Sequence, residues 1–131
     1  MKNLITTMAS MLILMIFLLQ FINNQVLHYN IINMDRTVNC YKEIVKQEGY
    51  LSNLRTEELK SYISKYAGCD KSEILISKKE DIKTRGNVIN FTVKVPIKNL
   101  IAANELLGVG DEENTGIYSY DIYTTSEYIN R

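Results

Sequence analysis

The chain has 131 residues, with one Pro, two Cys and one His, and its 15 Lys and Arg balance 15 Asp and Glu. That balance withholds the electrostatic pull that nucleic-acid binding needs, and a single His excludes a multi-His zinc centre. Beyond the apolar start there remain about 100 residues of ordinary apolar content, enough for one small folded domain but not two.

Residues 4 to 22, LITTMASMLILMIFLLQFI, carry no charged side chain. About 20 apolar residues at ~1.5 Å rise cross the ~30 Å hydrocarbon core, and backbone groups in lipid must be paired within the segment, which predicts a helix. A cleaved signal peptide is the competing reading. It needs a shorter run and a small-x-small cleavage site, and Gln20 to Val26 offers none. An uncleaved anchor over residues 1–25 is therefore expected, with Met11, Leu14 and Leu18 as its packing residues. Lys2 before the run favours the N-terminus inside and the remaining residues, 26–131, outside the cell membrane.

Apolar side chains continue at Leu27, Ile31, Met34, Val38, Tyr41 and Val45, at helical spacing, and no Gly or Pro interrupts the chain between Lys2 and Glu48. The simplest structure is one helix over about residues 3–47, roughly 65 Å long, ending at Gly49. Leu27, Ile31, Met34 and Val38 are the expected helix–helix contacts. A break at Phe21–Asn24, or a coiled-coil dimer through residues 27–45, also fits the spacing.

Thr56 followed by two Glu predicts the start of a second helix, with Leu59, Tyr62, Ile63 and Tyr66 on one face and Gly68 as its stop. Ile74 and Ile76 mark a short strand. Ile89, Phe91, Val93 and Val95 alternate with polar residues in a stronger strand that is expected to stop at Pro96, and the charged loop between the two predicts a hairpin. Ile97 to Leu107 has a helical pattern ending at Gly108. An acidic loop, Gly110 to Gly116, leads to a last strand over Ile117 to Thr124 with Tyr118, Tyr120 and Ile122 on one side. The expected fold is α+β: a long N-terminal helix packed against a small antiparallel sheet with short helices.

No residue constellation predicts an active site, a metal site or a bound cofactor, and no small-molecule substrate is implied. The lone His28 lies beside the apolar run, where packing is the plainer role, and the paired carboxylates sit at a helix start or in charged loops. Cys40 and Cys69 either form a disulfide, closing a ring of about 30 residues worth roughly 3–4 kcal/mol, or remain two thiols. Cys69, in the turn Gly68-Cys69-Asp70, reads as exposed, which favours the bond. Tyr118, Tyr120 and Tyr123, with Asp111, form the candidate partner surface, against the alternative of a strand that is half core and half surface.

A short N-terminus, an uncharged run, its continuation as an amphipathic helix and a small sheet on that helix together resemble pilin-type or pseudopilin-type subunits. The segment VNCYKEIVKQEGYLSNLRTEEL (residues 38–59) and the ending SYDIYTTSEY resemble the TadE-like minor pseudopilins of Gram-positive Tad-type and conjugation-like loci. The resemblance implies a non-enzymatic, pilin-like subunit whose partners are the membrane and other assembly subunits. Pilin precursors have a small residue before the run and a Glu five residues into the mature chain. Here Asn3 precedes the run and no acidic residue lies within it, which implies a minor or accessory place rather than that of a bulk filament subunit. The rival expectation is a signal-anchored extracytoplasmic binding or accessory module of another membrane complex.

Overall fold

The computed structural model describes residues 1–130. Helix α1 runs without interruption from Lys2 to Glu48 and ends where Gly49 turns into the left-handed region at φ 83°. The break envisaged at Phe21–Asn24 does not occur: Asn23 donates outward to the Asn99 and Leu100 carbonyls and Asn24 accepts from Gln20 one turn back, so neither caps a helix end. The most apolar stretch of α1 is long and apolar enough to cross a membrane, and none of it is buried by the rest of the chain.

The second half of α1 is the spine of the domain. Met34, Val38, Tyr41 and Val45 are buried, with Leu27, Ile31 and Ile44 partly covered beside them. Spacings of three and four put them on one face, which α2 (Asn53–Ala67) and the sheet cover. Of the expected helix-contact residues, Met34 and Val38 are thus buried in the chain's own core, and Leu27 and Ile31 pack against it in part.

Helix α2 starts earlier than Thr56. Ser52 is its N-cap, accepting from the Arg55 N–H at 3.3 Å, and the Thr56 hydroxyl donates back to the Ser52 carbonyl at 2.8 Å, so Thr56 lies inside the first turn. Leu59 and Ile63 face the core as expected, while Tyr62 is exposed. Arg55 pairs with Glu48 of α1 and with Glu58, pinning the two helices where they meet. Gly68 closes α2.

A short 3₁₀ turn, Lys71–Glu73, which the pattern did not signal, leads into β1 (Leu75–Lys78). Strands β2 (Val88–Ile97) and β3 (Gly116–Thr125) complete an antiparallel sheet of order β1-β2-β3, with Phe91 opposite Lys78 on one side and Ile122 on the other. The β1–β2 hairpin is as expected. Ile89, Phe91, Val93, Val95 and Ile97 point into the core. Strand β2 does not stop at Pro96. Pairing with β1 ends at Lys94, so Pro96 lies where one edge of β2 is open and a missing N–H breaks no ladder there. The expected helix over Ile97–Leu107 shrinks to α3 (Asn104–Leu107), because Ile97 still pairs with Gly116 and Asn99 takes φ 58°, outside any right-handed helix.

The end of α1 is clamped from above. The Lys83 N–H donates to the Gly49 carbonyl at 2.9 Å and the Glu127 N–H to the Lys46 carbonyl at 2.8 Å. A Cβ on Gly49 would stand 2.6 Å from the Lys83 oxygen, so the close approach needs glycine as much as the positive φ does.

Candidate functional site

The opposite end of the domain descends along the bare half of α1. The Gln20 Nε2 donates to the Leu100 carbonyl at 2.9 Å and its Oε1 accepts from the Ala102 N–H at 2.9 Å. The Asn23 Nδ2 donates to the carbonyls of Asn99 at 2.8 Å and Leu100 at 3.2 Å. Two polar side chains at the end of the apolar run thus satisfy the backbone of the segment between β2 and α3. The contact lies on the helix side of residue 25, so the expected boundary between anchor and domain falls inside one continuous unit.

The segment is fixed from behind by Asn114, a fully buried side chain. Its Oδ1 accepts from the Ile101 N–H and its Nδ2 donates to the Ile101 carbonyl at 3.1 Å, so one side chain pairs both backbone groups as a strand would. The Leu100 N–H in turn bonds to the Asn114 carbonyl. Lys98 Nζ meets Glu73 at 2.9 Å at the head of the segment, and this ion pair holds the Glu73 carboxyl below its ordinary range.

Between segment and helix lies an apolar groove of about 440 Å³, floored by Ile13, Ile16 and Phe17 and walled by Ile101, Ala103 and Leu107. Met8, Met11, Leu14, Met15 and Leu18 line a separate apolar depression on α1 that no residue of the domain touches. At ~100° per residue the two sets lie on opposite faces of the helix. Met11, Leu14 and Leu18, the expected membrane-packing residues, therefore fall together on the face that the domain leaves free.

The expected partner surface is not one surface. Tyr120 is 8% exposed and faces the core, Tyr118 is half-buried against it at a ring-centroid distance of 4.6 Å, and Tyr123, 65% exposed, is on the other side of β3. Burial, followed by the nearby Asp35 carboxylate, raises the Tyr120 phenol well above its ordinary pKa. Asp111 is spent locally, its carboxylate accepting from Asn104 Nδ2 at 3.0 Å. The expected disulfide is absent: both cysteines are free, with Cys40 exposed on α1 and Cys69 buried. Burial lifts the Cys69 thiol pKa, which leaves it idle without a bond, contrary to the exposed turn the sequence suggested. Among the described residues, no group of three His, Cys, Asp or Glu is placed to hold a metal ion.

Gln20, Asn23 and Asn114 are the residues that sequence reasoning missed. The available signal was two amides within the last turns of an apolar run, where bare amides in lipid would be costly. No protein-family model, no curated protein and no solved structure matches the chain.

Proposed function

We propose that the protein is a non-enzymatic, membrane-anchored subunit, a minor or accessory component of a type IV or Tad-like pilus or secretion assembly. The observation that carries this reading is the unbroken helix, bare and apolar in its first half and the core of a small α+β domain in its second. In such a subunit the first half holds the chain in the bilayer, N-terminus inside and domain outside, as Lys2 at the start of the helix favours. The free Met8–Leu18 face packs laterally against the anchors of other subunits. Met side chains suit that role, since they adapt to irregular neighbours without adding polar groups.

A second reading, a tethered extracytoplasmic module, is favoured by one observation. The domain itself buries Met34 and Val38 and partly covers Leu27 and Ile31.

A photo-reactive side chain at Leu14 separates the two in the membranes of the host cell. The subunit reading expects adducts with a second membrane helix, of another copy or of an assembly protein. Adducts to lipid alone, in cells where the protein is active, would leave the tethered module.

A further inference from the structure

We infer that the segment from Leu100 to Val109 is a membrane wedge, and that the groove it forms with Ile13, Ile16 and Phe17 holds the acyl chains of the outer-facing leaflet. The inference rests on the proposed anchoring and adds to it a second point of entry and a ligand chemistry.

Three observations carry it. The first is depth. Gln20 is hydrogen-bonded to Leu100 and Ala102, and the groove reaches seven residues further down α1 to Ile13, about 10 Å along the helix axis. A helix that places residues 4 to 22 in hydrocarbon cannot keep a segment seated at residues 13–20 in water. The second is composition. Leu106 is 78% exposed and Leu107 57%, both on a four-residue helix at the lowest part of the segment, and the groove lining is apolar apart from Gln20. In water these side chains would be an exposed apolar patch, whereas beside a bilayer they continue the surface of the anchor.

The third is polar satisfaction. Hydrocarbon tolerates non-helical backbone only where its groups are paired. The upper part of this segment meets that condition through Gln20, Asn23 and Asn114, and in the lower part the Ala103, Asn104 and Glu105 carbonyls accept from the N–H groups of Leu107, Gly108 and Val109. The exposed carboxylates of Glu105 and Asp111 limit how far the wedge goes.

The chain contains no Trp, so single substitutions report position without background. Leu107→Trp, Leu14→Trp and Tyr123→Trp are compared in the full chain, reconstituted in phosphatidylcholine–phosphatidylglycerol vesicles carrying brominated acyl chains. Leu106→Trp serves if Leu107→Trp does not fold. Leu107→Trp is expected to be quenched several-fold more than Tyr123→Trp. Leu14→Trp, one residue along α1 from the Ile13 that floors the groove, should be quenched as well. Quenching at Leu14 with none at Leu107 or Leu106 overturns the wedge and leaves the anchor standing. Absence of quenching at Leu14 overturns the anchor, and the wedge with it. A Leu107→Trp emission that is shielded but indifferent to bromine, and that varies with the ratio of protein to lipid, assigns the groove to a second copy and also overturns the inference.

Discussion

At the scale of single residues, Tyr41 is a titratable group of the core whose behaviour is set by its neighbours. Tyr41 is buried between α1 and α2, its hydroxyl 3.4 Å from Glu58, and burial first, then the Glu58 carboxylate, push its pKa up to about 12. An unfolded tyrosine ionises near pH 10. The unfolded chain therefore loses a proton between about pH 10 and 12 that the folded chain keeps, so this contribution is complete below about pH 10 and lost as the pH rises toward 12. Thermal unfolding of the domain in detergent, followed across that window, should fall less steeply for Tyr41→Phe than for the parent chain. Equal slopes would mean that Tyr41 ionises in the folded protein as freely as in the unfolded one.

At the scale of elements, the long helix, the hairpin, the α2 stop at Gly68 and the alternation of β2 were legible, because each depends on local period and on glycines that end it. The segment after β2 was not. Its Ile97–Leu107 spacing is helical, yet the helix is overruled by pairing that comes from elsewhere: Gly116 across the sheet, Asn114 thirteen residues on, and Gln20 some eighty residues back. Such long-range amide bonds leave no periodic trace. The tyrosines of β3 follow the half-core, half-surface alternative rather than a single partner surface, since alternation sends Tyr118 and Tyr120 to one face and Tyr123 to the other. Asn114→Ala tests the account of the segment. It orphans the N–H and C=O of Ile101, so a loss of about 1–3 kcal/mol of domain stability is expected by denaturant unfolding, with amide exchange accelerated at Leu100–Ala102. Unchanged protection there would show that Gln20 and Asn23 suffice to hold the segment.

At the scale of the whole molecule, α1 divides the work between its two halves and also between its two sides. In the outer half one stripe is consumed by the core. In the apolar half one side seats the descending segment and the other, around Leu14, touches nothing in the chain. A change at Leu14 can therefore act on the membrane without acting on the fold. Leu14→Arg places a charge near the centre of the apolar run, at a cost of about 3 kcal/mol on insertion scales and more if the side chain cannot reach the interface. The domain, whose core begins at Leu27, should unfold at the same temperature as the parent in detergent. In cells the variant should leave the alkali-resistant membrane fraction, or remain there without supporting assembly. Normal retention together with normal activity would remove the lateral face from the mechanism, and with it the main physical reason to prefer a subunit over a tethered module.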